Sequence, residues 1–284
     1  SGGEDFMRDW VYNIRPATDD SPYFYNFFRW KSIPVLRQTF RHDWFQKAEM
    51  GYLIVLGTLG EVIIIGAILI LLPLLWLRRR RPDTSHPVGG KLATLVYFLL
   101  LGVTFMMVEM ALIIRFHHFL GDPILSAGGV LSAFLVFSGL GSSLSRRIVP
   151  RPVTAIGAAV IGIGIIGISY ELLLDPIFAA AASWPLWARF TSTIVLTAPL
   201  AFLMGWPFPN GLAKIQSGSP SLIPWAWSAN GFASVAGTPI TLLLATSRGF
   251  SSVMLVGVGL YVCAAVVAWK LPGSFSSDAP TRQA

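Results

Sequence analysis

The stretch LATLVYFLLLGVTFMMVEMALII (92–114) decides the fold. About 20 predominantly apolar residues suffice for a helix to cross the hydrocarbon of a bilayer, and this run is longer while carrying one ionisable group, Glu109, near its middle. Comparable runs flank it: GYLIVLGTLGEVIIIGAILILLPLLWL (51–77) before it, then 124–144, 153–174, about 190–206, 228–246 and 250–269 after it. The composition agrees. The 284 residues are 54% hydrophobic and 12% charged, about half the charged share of a soluble domain, and the mean hydropathy is +0.64. The expected fold is therefore all-α: a multi-pass transmembrane helix bundle of about seven spans, with lipid as the main solvent.

Three segments follow from the same pattern. Residues 1–48 are polar and aromatic, too polar to span, and read as an extramembrane or interfacial piece in which Trp10, Trp30 and Trp44 anchor at the headgroups beside Arg29, Lys31, Arg37 and Arg41. Residues 49–271 form the membrane domain. Residues 272–284 have no apolar pattern and read as a disordered tail. Within the membrane domain, the small-residue run at 124–144 permits close helix approach. The run containing GIGIIG (162–167) reads as a tightly packed interior helix. Asp175–Arg189, broken by prolines, reads as an interfacial or re-entrant piece, and the proline-bearing stretch 206–227 reads as a loop that breaks helicity.

The formal charge of +7 does not point to nucleic acid, because many basic residues stand in short runs beside apolar helices, as in LRRRRP (77–82) and SRRIVPR (145–151). Such runs are topology signals facing anionic headgroups. With those loops, Lys214 and Lys270 in the cytoplasm, seven crossings leave the N-terminal segment on the outer side. Cys263, the sole cysteine, excludes an internal disulfide and reads as a packing residue. The chain begins at Ser1, and a missing upstream part is expected.

Few groups here could carry chemistry. A carboxylate at bilayer depth costs about 2.5–3.5 kcal/mol on insertion scales, so Glu109 should turn toward the bundle or be protonated. Met106 and Ile113 share its helix face. Its role is either a hydrogen bond to a neighbouring helix or an ion, proton or quinone function, and Glu61 in the first run has the same two readings. At the end of the second run, IIRFHHFLGDP gathers Arg115, His117, His118 and Asp122 near one interface. Two imidazoles and a carboxylate could bind a metal or relay protons. Adjacent histidines on a helix diverge by about 100°, which favours headgroup or cross-helix hydrogen bonds over a shared metal, so no metal and no cofactor is expected. Asn210 lies in the proline-bearing stretch, where a restarting helix near Pro224 or Ser228 could hold an anion at its amides, although a structural turn is the simpler reading. Asn230 lies in the less apolar sixth run. Dinucleotide-binding, phosphate-loop, zinc-protease and serine-hydrolase signatures do not occur, and no catalytic residues are expected.

Three segments together resemble the spermidine synthase-like integral membrane proteins of bacteria, in which an aminopropyltransferase-like domain of Rossmann type is fused to membrane helices. RPATDDSPYFYNFF (15–28) resembles the end of that soluble domain. LLLGVTFMMVEMALIIRFHHFLGDPILSAGGVLSAFLVFSGLGSSLSRR (99–147) resembles the family's glutamate- and arginine-bearing helix, its short turn and its small-residue helix ending in a basic pair. FPNGLAKIQSGSPSLIPWAWSANGFASVAG (208–237) resembles its second signature. The resemblance implies a bacterial inner-membrane protein. The glycine-rich loop and acidic polyamine site of an active aminopropyltransferase are not found before Arg15, so this chain alone is not expected to be an enzyme. The leading expectation is a non-catalytic membrane module or accessory subunit, with membrane lipids and either other membrane subunits or an upstream soluble domain as partners and no nucleic acid. A transporter of a polyamine or related solute, and a membrane-bound transferase whose catalytic domain lies outside this chain, are the alternatives.

Overall fold

The computed structural model describes residues 50–80 and 88–273 with scattered positions between 9 and 38; side chains are described at 54–69 and 90–273. Among the described residues from 50 onward, eight helices follow one another: α1 (Met50–Arg80), α2 (Val88–Leu120), α3 (Pro123–Ile148), α4 (Pro152–Ala180), α5 (Leu186–Met204), α6 (Pro207–Gly218), α7 (Ile223–Arg248) and α8 (Phe250–Ala268), with a 3₁₀ turn at Pro220–Leu222. Among the described residues, five helical stretches are long and apolar enough to cross a membrane: Gly90–Leu120, Pro123–Ile148, Pro152–Ala180, Leu186–Gly218 and Phe250–Ala268. The described apolar part of α1, Ile54–Leu69, is shorter. The chain is thus an all-α, multi-pass membrane helix bundle. The interfacial reading of residues 1–48 falls almost wholly outside the described residues.

Prolines start helices here more often than they stop them, and this corrects two expectations. Proline lacks the N–H that the first turn of a helix leaves unpaired in any case, and its fixed φ suits that turn. Pro123, Pro152, Pro207 and Pro224 all stand at the first or second helical position. The stretch 206–227 is therefore helical along most of its length rather than a loop. Asp175–Arg189 is not a re-entrant piece either: 175–180 completes α4 with Pro176 inside it, a turn covers 181–185, and 186–189 begins α5. Elsewhere the reversals are tighter. Gly121 (φ 75°) ends α2 and Gly249 (φ 85°) separates α7 from α8, both in the left-handed region that glycine enters without a Cβ clash. Asp122 then starts α3 by accepting from the amides of Ile124 (2.8 Å) and Leu125 (2.9 Å), an N-cap that satisfies donors the helix cannot.

α2 is the central helix, packed against α7, α8 and α3. Tyr97, Phe98, Met107, Val108, Leu112 and Phe116 on it are almost wholly enclosed. α3 packs on α5, and α4 on α8, α6 and α5, while α1 leans on α7. Lipid offers no hydrophobic drive for helices to associate, so close backbone approach and interhelical hydrogen bonds must hold them. Glycine supplies the approach: a Cβ on Gly102 would meet the Asn230 carbonyl of α7, and Cβ atoms on Gly141 and Gly205 would meet the carbonyls of Phe202 and Ser138 where α3 crosses α5. Several hydroxyls inside the helices are satisfied locally, as in Thr104 to Leu100 O (2.6 Å) and Thr241 to Gly237 O (2.7 Å).

The outer surface is apolar, with Leu135 at 77% and Leu172 at 72% exposure, as expected of a surface solvated by acyl chains. The glycine-rich α4 is not an interior helix. Gly162 faces Leu203 and Gly167 faces Val258, but Ile161, Ile165 and Ile168 beside them are exposed; the glycines form one packed face of a peripheral helix. Cys263 is likewise exposed rather than packed. At the C-terminal end, Pro272 and Gly273, assigned by composition to a disordered tail, pack beside Gly90 and Gly218, and Lys214 on α6 donates to the Ala268 carbonyl (2.8 Å) and the Trp269 carbonyl (3.2 Å) at the end of α8. A cation at a helix C-terminus satisfies carbonyls the helix leaves open.

Candidate functional site

The short reversals at 121–122, 181–185 and 249 bring the C-terminal ends of α2 and α4 together with the N-terminal ends of α5 and α8. Arg115, one turn before the end of α2, is the centre of the polar cluster there. Its Nη2 donates to Glu171 Oε2 at 2.6 Å and to Ser251 Oγ at 3.0 Å, and its Nη1 donates to Asp175 Oδ1 at 3.0 Å. Glu171 and Asp175 are four residues apart on α4 and so share a face, which lets one planar guanidinium engage both. The two pairs differ in environment. The Arg115 and Glu171 side chains keep 14% and 15% exposure, whereas the Asp175 side chain keeps 75%. The first is an enclosed pair whose desolvation offsets much of its attraction, although loss of either partner would leave a charge stranded. The second is a rim pair of small net effect.

These groups line a cavity of about 410 Å³. Arg189 and His118 complete its polar wall, and Phe119 and Phe178 provide an aromatic one, their rings stacked at 4.4 Å and 15°. Arg189 Nη1 donates to the Phe119 carbonyl (2.9 Å) at the end of α2. Its Nε is buried without a partner among the described residues.

Of the residues singled out in the sequence, the structure brings Arg115 and His118 into this cavity and leaves the others elsewhere. Asp122 is committed to capping α3. His117 has a buried Nδ1 without a partner among the described residues, and the two imidazole centroids lie 5.7 Å apart. Among the described residues no group of three His, Cys, Asp or Glu could hold a metal ion. Glu109 is 7% exposed and interacts electrostatically with Tyr261, which in turn interacts with Tyr97; the Tyr97 hydroxyl donates to the Pro207 carbonyl (2.7 Å). Asn210 is fully buried and ties α6 to α3 by donating to Ser145 Oγ (3.0 Å), while also bonding the Trp206 carbonyl (2.9 Å). Asn230 lines a second cavity of about 390 Å³, mostly apolar, between α2, α3, α6 and α7. Glu61 is exposed on α1.

Glu171, Asp175, Arg189 and Ser251 were not singled out from sequence. The i, i+4 carboxylates in YELLLD (170–175) carry a signal, since they close an apolar run at the same end of the bundle as Arg115; Ser251 has none. Comparison of the chain with protein-family models, with curated proteins and with solved structures gives no match.

Proposed function

We propose that the chain is a non-catalytic multi-pass membrane module that serves as an accessory subunit of a larger membrane assembly. One observation carries this reading: Glu61 lies on an outward face of α1. Ile54, Gly57, Thr58, Glu61, Ile64, Ile65 and Ile68 are exposed at helical spacing on the side of Glu61, and Ile63 and Leu69 are exposed beyond it, while the helix meets α7 with Gly66 against Phe232. Whichever run of about 20 residues within 51–77 fills the hydrocarbon, Glu61 is part of it. A carboxylate turned outward at that depth calls for a hydrogen-bonding or basic partner within the membrane. The occupant that fits is a transmembrane helix of another protein, bearing a Lys, Arg or His or a neutral donor at the same depth. Gly57 and Gly60, with nothing within 4 Å of an added Cβ, leave room for its close approach. A second copy of the chain fits less well, because a two-fold axis on this face would set Glu61 against Glu61.

In this reading α1 and α7 cross the membrane with the five longer apolar stretches, giving seven spans. Lys91, Arg146, Arg147, Lys214 and Lys270 then mark the cytoplasmic side of a bacterial inner membrane, and residues 1–48 lie outside. The likeness to spermidine synthase-like membrane proteins adds an upstream soluble domain as a further partner.

Photo-reactive residues introduced singly at 58, 64 and 65, and at 55 and 62 on the opposite face, test the proposal in native membranes. Adducts from the first set to a transmembrane peptide with a basic or donor residue, in fixed stoichiometry and reduced by Glu61→Leu, are expected. Adducts to lipid alone, or solute uptake by proteoliposomes of the purified chain that Glu109→Gln abolishes, would overturn it, the latter in favour of a transporter.

A further inference from the structure

The cavity at the Arg115 end is independent of the α1 face. We infer that it is a binding site for a zwitterionic group made of a primary ammonium and a phosphate. Its walls carry both signs: Glu171 and Asp175 from α4, and Arg115 and Arg189 from α2 and α5, with His118 beside them. Arg115 is engaged by the two carboxylates and Ser251. Asp175, by contrast, accepts one hydrogen bond among the described residues, at Oδ1, and its side chain is 75% exposed, so it can accept from an ammonium. A guanidinium has five N–H donors, and Arg189, which lines the cavity, places one on the Phe119 carbonyl from Nη1, which leaves its other terminal N–H groups for an anion. With His118 it forms the anion-binding side.

A simple anion would meet Glu171 and Asp175, and a simple cation would meet the two arginines. A ligand bearing both charges answers both walls and is selected against either alone. The volume, about 410 Å³, falls in the range of small-molecule sites, and the stacked Phe119 and Phe178 offer an apolar surface to the carbon atoms between or beyond the charges. The site lies where α2, α4 and α7 end, and the exposed Trp184 and Trp187 stand in the adjoining turn and first turn of α5, at the level where such side chains meet headgroups. The shared chemistry has two sources, the headgroup of an aminophospholipid and a free aminoalkyl phosphate.

Native mass spectrometry and thermal unfolding of the full chain in detergent, titrated with phosphatidylethanolamine, phosphatidylcholine, phosphatidylglycerol and free phosphoethanolamine, test the inference. Phosphatidylethanolamine should bind about tenfold more tightly than phosphatidylglycerol, which lacks the ammonium, and than phosphatidylcholine, whose quaternary nitrogen cannot donate to Asp175. Asp175→Asn and Arg189→Gln should each erase that preference, whereas Ser143→Ala on the far end of α3 should keep it. If free phosphoethanolamine binds as well as the lipid, the source is the soluble zwitterion; if only the lipid binds, the source is the bilayer. Equal binding of the three lipids with no binding of free phosphoethanolamine overturns the inference. Because the lipid comparison needs no substitution, it decides even if Asp175→Asn fails to fold.

Discussion

Glu109 and Glu61 look alike in the sequence, each a lone carboxylate inside a long apolar run, yet the bundle treats them oppositely. Glu109 sits on the central helix, 7% exposed, with Tyr261 in electrostatic reach. Glu61 sits on a peripheral helix that, among the described residues, leans on α7, and faces outward. The difference teaches that an intramembrane charge acquires meaning from its helix's place in the bundle. On α2 a carboxylate is enclosed by its own chain; on α1 it is left for something else to meet.

That contrast yields graded tests. The largest effect on stability is expected where the chain encloses its own charges. Arg115→Ala strands Glu171, and chemical unfolding in detergent should report a loss of about 3 kcal/mol, the low end for a broken buried pair; adding Glu171→Ala should restore part of it. Next come the helix contacts. Gly102→Leu forces a side chain against the Asn230 carbonyl and should cost about 2 kcal/mol, in the range for overpacking, while Gly57→Leu on α1, which meets open space, should leave unfolding of the isolated chain unchanged. Tyr97→Phe removes the bond to the Pro207 carbonyl and should cost about 1 kcal/mol. Glu61→Gln should shift the stability of the isolated chain by less than about 0.5 kcal/mol, with its consequence confined to association, read by co-purification. A large loss of stability in the last variant would place Glu61 inside the fold and erase the contrast.

The fold class was legible because period and length in a strongly apolar chain leave few alternatives: 92–114 and 250–269 lie within α2 and nearly coincide with α8. The helical nature of 206–219 is hidden in the sequence because Pro207 and Pro209 read as breakers, whereas a proline at a first turn serves as an initiator; the helix restart expected near Pro224 agrees with α7, which begins at Ile223. The place of α4 is not legible in the sequence because glycine content reports one close face and says nothing of the opposite one. At the polar site, Arg115 and His118 were legible as ionisable residues at the end of an apolar run. Their partners were not, since Glu171, Asp175, Arg189 and Ser251 come from three other helices 56 to 136 residues away in sequence or 70 from Phe119, and only the antiparallel stacking of the bundle joins them. Asp122 was grouped with them by proximity in the chain, but its position one residue before α3 commits it to the cap.

The most direct test of the contrast between α1 and α2 is oxygen accessibility of nitroxide labels placed singly at 57, 58, 64 and 65 on α1 and at 108 and 112 on α2, measured in the purified chain in lipid and again in the native assembly. The account predicts that the α1 labels are freely reached by oxygen in the purified chain and shielded in the assembly, with the α2 labels shielded in both. α1 labels that stay equally accessible in the assembly would contradict it.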